Sequence, residues 1–224
     1  MKSFRLIPIF ACLFASTAAA EVVIDQGFVA PENVNYYFDY PGDYMAQTFT
    51  LRNTGRITSV GLQVSREGAT ASPLRFQLTR TDTAGDPLIS DVLASRDLSP
   101  GFVQSGNTGL PMLNIDLSGQ NIQVHTGDVL ALVLSSNYVH YHWNETIIQD
   151  KIAGGKFSVY SPQTFGARWF HEWLISDRTR TGDAGYRITI DALPEPSSVL
   201  LVGVALLAMV SPRVRPQRGR PAAQ

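Results

Sequence analysis

The densest aromatic cluster of the chain is Trp169-Phe170-His171-Glu172-Trp173. On a β-strand, Trp169, His171 and Trp173 would share one face, because successive side chains point to opposite sides. Exposed indole rings offer flat apolar area on which sugar rings stack. The same spacing also suits the buried face of a β-sandwich, and we favour core packing here. Trp169, His171 and Trp173 remain the candidate sugar-contact residues.

A second cluster, Tyr138 to Trp143, contains two histidines. In a strand Tyr138, His140 and His142 point to one side, and Glu145 follows two residues after Trp143. Two histidines and a carboxylate could bind a transition metal. A solvated strand end above aromatic packing explains the same pattern, so we assign no metal ligand here.

Carboxylates offer two further kinds of chemistry. Glu145 and Glu172 could form the acid pair of a glycoside hydrolase, but a sequence does not fix the separation that this reaction needs. Asp82, Asp86 and Asp91 lie in or beside one polar loop, where a structural Ca²⁺ could bind, although their spacing is not that of an EF-hand. No serine elbow and no HExxH motif is present. We therefore predict no enzyme and no cofactor, with structural Ca²⁺ as the alternative.

The local pattern around these residues predicts β-strands. From Met45 onward the apolar period is two, as in Phe49 and Leu51, and turn residues recur at regular intervals. The segment 129–134 is apolar at every position, which predicts a central strand. No segment shows apolar residues at the 3.6-residue spacing of an α-helix. The pattern predicts an all-β, jelly-roll-like β-sandwich of eight to ten strands.

Charge and cysteine content exclude several classes of function. Six of the 18 basic residues, but only one of the 19 acidic residues, lie in the two ends of the chain, so the middle is net negative. Such a domain is a poor match for nucleic-acid phosphates. The single cysteine, Cys12, lies in the N-terminal apolar run. Disulfides and thiolate metal sites in the folded domain are therefore not expected.

The N-terminus has the three parts of a secretory signal peptide. Lys2 and Arg5 precede the apolar run 6–14, and small residues follow it up to Ala20. We predict a signal helix over 1–20, with signal peptidase reading Ala18 and Ala20 and cutting before Glu21. A lipoprotein signal at Cys12 is the weaker alternative, because the bulky Phe10 precedes it.

The C-terminus contains Pro194-Glu195-Pro196, an apolar run over 199–210, and four arginines in the segment 213–220. The prolines keep the motif extended, the apolar run can enter a bilayer, and the arginines favour a cytoplasmic end. This order resembles the PEP-CTERM sorting signal. A permanent anchor is the alternative, but the 12-residue apolar run is shorter than the about 20 residues that span a bilayer.

The resemblance implies recognition at Pro194, Glu195 and Pro196 by exosortase, a membrane transpeptidase. It implies transient anchoring in the inner membrane of a Gram-negative-type bacterium, followed by release to the cell surface or extracellular matrix. The predicted organisation is a signal peptide (1–20), a β-sandwich (21–192) and a tail (193–224). The tail comprises the motif 194–196, a hydrophobic helix over 197–211 and a basic end over 212–224.

Four short stretches of the middle domain resemble exported jelly-roll domains related in shape to carbohydrate-binding modules. They are AQTFT (46–50), TSVGL (58–62), GDVLALVL (127–134) and AGG (153–155). We therefore expect a non-enzymatic exported surface or matrix protein, with extracellular polysaccharide as a partner. The alternatives are a carbohydrate-binding module and a glycoside hydrolase-like enzyme.

Overall fold

The computed structural model describes most of the middle of the chain, which forms one compact unit over Ala20–Leu193. The described residues are 20–30, 34–38, 40–106, 111–138, 140–145, 155–163, 168–170, 173–175, 178–180 and 183–193. For 34–37, 145, 173–175 and 178–180 only the backbone is described. The predicted signal helix and C-terminal helix lie outside these residues.

Sixteen strands and a single 3₁₀ turn, Ser118–Gln120, make up the described secondary structure. The strands are β1 (Glu21–Phe28), β2 (Val34–Tyr37), β3 (Tyr44–Thr50), β4 (Gly55–Leu62), β5 (Val64–Arg66), β6 (Leu74–Thr81), β7 (Pro87–Leu98), β8 (Leu113–Asp116), β9 (Ile122–Val124), β10 (Val129–Ser135), β11 (Tyr141–Glu145), β12 (Phe157–Tyr160), β13 (Trp169–Phe170), β14 (Trp173–Ile175), β15 (Arg178–Arg180) and β16 (Tyr186–Ala192).

These strands form antiparallel sheets, and the all-β prediction is confirmed. A six-stranded sheet has the order β13-β12-β3-β10-β6-β7, and a five-stranded sheet has the order β1-β16-β4-β8, with β9 also paired to β4. A three-stranded sheet (β2-β11-β5) and the pair β14-β15 complete the described strands.

One hydrophobic cluster joins the two larger sheets. Alternate residues of β3, β6 and β10 point into it from the six-stranded sheet, and those of β4, β8 and β16 enter it from the five-stranded sheet. Phe49, Phe76 and Leu132 are fully buried, as are Ile57 and Ile188 on the other side. Burial of these apolar side chains is the main stabilising term for such a two-layer domain.

Strand β10 is central, as predicted, because it pairs with β3 on one side and β6 on the other. Its residues Ala131 and Val133 are also buried, on the face turned away from the main core. The structure contains more strands than the eight to ten predicted. The additional ones are short or lie at sheet edges, where alternation is weak, and β7 carries exposed charged residues such as Arg96 and Asp97.

The strand predicted over 169–174 is two strands. Trp169 lies in β13, which pairs with β12, whereas Trp173 lies in β14, which pairs with β15 in a different sheet. The strand predicted from Tyr138 begins instead at Tyr141, since Tyr138 and His140 precede it outside any strand. Period-two spacing does not reveal where a strand changes its partner.

A candidate binding site on the six-stranded sheet

Six side chains form a single line across all six strands of the larger sheet. In the pairing register, Trp169 is opposite Tyr160, Tyr160 is opposite Tyr44, Tyr44 is opposite Ser135, Ser135 is opposite Arg75, and Arg75 is opposite Asp97. Directly opposed residues of antiparallel strands point to the same face. We call Trp169, Tyr160, Tyr44, Ser135, Arg75 and Asp97 the cross-strand row. It lies on the face turned away from the main core.

The first half of the row is aromatic. The ring centroids of Tyr44 and Tyr160 are 5.8 Å apart in an edge-to-face arrangement, and those of Tyr160 and Trp169 are 5.4 Å apart and tilted. All three rings are half-buried. Trp169 packs over the buried small residues Ala46 and Ala131. Each ring therefore combines a supported side with an accessible part.

The second half of the row is polar and forms the floor of a cleft. Arg75 Nε lies 3.5 Å from Asp97 Oδ1, and both side chains are more than half exposed. Together with Tyr44 and Ser135 they line a cleft of about 300 Å³. Its remaining lining residues are Gly42, Ser72, Pro73, Ser136 and Asn137.

Three loops shape the walls of this cleft. Ser136 Oγ donates a hydrogen bond to the Pro73 carbonyl (3.0 Å) and accepts one from the Tyr138 backbone N–H (3.0 Å). In the turn before β3, Asp43 Oδ2 accepts the Tyr40 N–H at 2.9 Å, and Gly42 has φ +89°, a conformation that favours glycine. The cleft walls are thus held by hydrogen bonds within the protein.

The chemistry of the row suits a ligand with hydroxyl groups and apolar ring faces. Serine, asparagine and the Arg75–Asp97 pair supply both donors and acceptors. The aromatic half supplies apolar contact area beside them. A concave site that joins apolar surface with a few fixed polar groups is a typical small-molecule or saccharide site.

Of the predicted sugar-contact residues, Trp169 belongs to the row. Its indole Nε1 donates a hydrogen bond to the Pro87 carbonyl oxygen at 3.0 Å, so its polar edge is engaged within the protein. His171 lies outside the described residues, and only the backbone of Trp173 is described. Nothing in the sequence predicts Tyr44, Arg75, Ser135 or Asp97 as site residues. No local motif marks them, because the strand register alone brings them together.

The predicted sorting and cleavage residues lie mostly outside the described residues. Ala18 and the motif Pro194, Glu195 and Pro196 are among those not described. Ala20 is exposed and directly precedes β1, which begins at Glu21. The cleavage and sorting assignments stay predictions.

In the histidine cluster, His142 lies beside the carboxylate of Glu67. His142 Nε2 lies 3.9 Å from Glu67 Oε2, and the His142 side chain is buried. Burial lowers the pKa of His142, the Glu67 carboxylate raises it, and His140 lowers it. Glu145 lies in β11, where only its backbone is described. Across the described residues, no three or more His, Cys, Asp or Glu side chains are grouped as a metal site.

The aspartates considered for Ca²⁺ make contacts within the β6–β7 hairpin. Asp82 Oδ1 accepts the backbone N–H groups of Ala84 and Asp86, both at 2.8 Å. Asp91 pairs with Arg80 Nη1 at 3.1 Å. Asp82 therefore stabilises the turn, and Asp91 stabilises the pairing of β6 with β7.

The part of the chain that the structure describes contains no helix long and apolar enough to cross a membrane. No protein-family model matches the chain. A comparison with curated proteins likewise found no match.

Proposed function

We propose that this chain is a non-enzymatic exported surface or matrix protein whose β-domain binds a neutral glycan along the cross-strand row. The observation that carries the glycan proposal is the alignment of Tyr160 and Tyr44 with Ser135, Arg75 and Asp97 in one register line. Aromatic rings beside a polar cleft match the two surfaces of a sugar, its apolar ring face and its hydroxyl edge.

The charge of the cleft favours an uncharged ligand. Arg75 and Asp97 are the charged residues that line it, and they lie within ion-pair distance of each other. The other lining residues carry no formal charge. The Arg75–Asp97 pair carries no net charge, so it gives neither an acidic nor a basic polysaccharide a net attraction, whereas hydroxyl groups can bond to both residues.

Retention on immobilised polysaccharides tests this proposal. The panel holds glucan, mannan, galactan and chitin as neutral polymers, and alginate as an acidic one. The wild type is expected to be retained on at least one neutral polymer. Tyr44→Ala should weaken retention about tenfold, through loss of the ring contact, and Tyr44→Phe should preserve it. Val92→Ala is the control, because Val92 is exposed on β7 outside the cleft. Absence of retention on every polymer would overturn the proposal.

The fold assignment within this proposal is a jelly-roll β-sandwich. What supports it is the way the chain alternates between the two larger sheets, with β3 in the six-stranded sheet, β4 in the five-stranded sheet, and then β6 and β7 back in the six-stranded one. β8 and β9 return to the five-stranded sheet before β10 crosses again. Such alternation is typical of Greek-key sandwiches.

A hydrolase is the alternative that the same assay can detect. Glycoside hydrolysis uses two carboxyl groups, one on each side of the bond that is cut. Among the described residues, Asp97 is the carboxylate that lines the cleft. We therefore expect no release of reducing ends from any retained polymer. If the wild type released reducing ends and Asp97→Asn did not, the protein would be a hydrolase and not a non-enzymatic binding protein.

Export and sorting form the second part of the proposal and are supported by the sequence of the two ends. Signal peptidase would cut before Glu21, and an exosortase-type transpeptidase would act at Pro194-Glu195-Pro196 after transient anchoring in the inner membrane. The intact mass of protein from the host surface tests this. Wild type should lack the residues beyond about 194, and Glu195→Ala should retain them. An intact tail in both proteins would indicate a permanent anchor.

A further inference from the structure

A second cleft begins on the other side of Asp97. It has a volume of about 460 Å³ and is lined by residues of β7, β8 and the 99–102 turn. Asp97 lines both clefts, so the two are adjacent across the β7 edge of the six-stranded sheet. The β8 edge of the five-stranded sheet forms the far side.

The second cleft repeats the combination of one accessible ring with polar groups. Phe102 lines this cleft and is 51% exposed, so part of its ring is accessible to a ligand. Asn114 Oδ1 accepts a hydrogen bond from Arg187 Nη2 at 2.7 Å, which holds the amide in place.

A carboxylate acceptor completes this cleft. Asp116 Oδ1 accepts the Ser118 backbone N–H at 2.9 Å. That bond and the Ser118 side chain lower the pKa of Asp116, and Arg96 lowers it further. Asp116 therefore stays ionised at neutral pH and can accept hydrogen bonds from sugar hydroxyl groups. A carboxyl with a lowered pKa is also unsuited to act as a general acid.

We infer that the two clefts are neighbouring subsites for one extended neutral polysaccharide, which passes over Asp97 and stacks on Phe102. This inference rests on the proposed glycan binding and adds the length and path of the ligand. A disaccharide would occupy the cleft beside Tyr44 alone, whereas a longer chain would contact the cross-strand row and Phe102 together. Affinity is therefore expected to rise with chain length.

The experiment uses fragments cut from the neutral polymer that retains the protein, measured by titration calorimetry. The wild type should bind an octasaccharide more tightly than the disaccharide. Phe102→Ala should weaken octasaccharide binding about tenfold and leave disaccharide binding unchanged. Phe102→Tyr keeps the ring and should behave as wild type. Val92→Ala, at an exposed apolar position of β7 that lines neither cleft, is the control.

Three results would overturn the inference. Equal wild-type affinity for disaccharide and octasaccharide would show that one cleft holds the whole ligand. Unchanged octasaccharide binding by Phe102→Ala would show that the cleft beside Phe102 is not a subsite. A loss of binding in Tyr44→Ala would still support the cleft beside Tyr44 as a binding site. Retention on no polymer of the panel would overturn the proposed glycan binding and this inference together.

Discussion

The indole Nε1 of Trp169 donates a 3.0 Å hydrogen bond to the carbonyl oxygen of Pro87, although these residues belong to the two edge strands of the same six-stranded sheet. The start of β7 therefore folds back over the outer face. Lys156 makes a second contact between the same parts of the sheet, because its Nζ lies 3.5 Å from the Ala84 carbonyl oxygen in the β6–β7 loop. One end of this face is covered in this way, and the cleft beside Tyr44 lies at the other end of the strands.

We predict that Trp169→Phe destabilises the protein by about 1 kcal/mol, since the Pro87 carbonyl loses its donor while most ring contacts remain. Trp169→Ala should cost about 3 kcal/mol, because Ala46, Ala131 and Val133 lose their cover. Urea unfolding followed by circular dichroism measures both changes. Equal stability of all three proteins would show that the contacts of Trp169 do not stabilise the sheet.

Gln47 should be essential to the core although it is polar. Its Nε2 donates to Asp183 Oδ1 at 2.9 Å, and its Oε1 accepts the Ala184 N–H at 2.7 Å, in a fully buried site. Gln47→Leu removes both bonds without a large loss of volume. We expect a loss of about 2–4 kcal/mol in the free energy of unfolding. Gln123→Leu, on an exposed position of β9, should change stability by less than about 0.5 kcal/mol.

Gly55 is predicted to tolerate no side chain. A Cβ at this position would overlap the backbone carbonyl of Asp191 on the neighbouring strand β16. Gly55→Ala should therefore push β4 away from β16 and cost about 2–3 kcal/mol. Gly101→Ala is the control, because a Cβ there meets nothing within 4 Å. Thermal unfolding of the two variants should separate them clearly, and a Gly55→Ala protein as stable as Gly101→Ala would contradict the pairing geometry.

The stability of the protein should fall on mild acidification because of His142. Burial lowers its pKa in the folded state below the ordinary value of 6.5. Well above pH 6.5 the histidine is neutral in both states and does not affect stability. As the pH drops below 6.5, the unfolded chain binds the proton first, so stability decreases until the folded-state pKa is reached.

Urea unfolding between pH 8 and pH 5 measures this effect. His142→Gln should show a flatter decline than wild type. Glu67 raises the pKa of His142, so Glu67→Gln should extend the loss of stability to lower pH. An identical pH profile for wild type and His142→Gln would show that this residue does not carry the dependence.

The sequence was sufficient for the strands whose two faces differ in polarity. The period-two pattern predicts a buried face that contains Phe49 and Leu51, and both are buried. Edge strands were harder to predict, as β7 shows. Its residues Ser95, Arg96 and Asp97 are all exposed, so no alternation marks it as a strand. Strand β1 likewise has exposed Val22 and Ile24 on its outer side, which weakens the inward pattern.

The all-β class and the central position of β10 follow from the sequence itself, because local periodicity indicates both. The signal peptide and the sorting tail stay predictions from the composition of the two ends. The alignment of the six residues in the cross-strand row depends on the tertiary structure. Tyr44 and Asp97, for example, meet at one cleft only through β10 and β6. Register is set by how whole strands pack against the core, and a shift of one residue in any strand would turn that strand's member of the row to the other face.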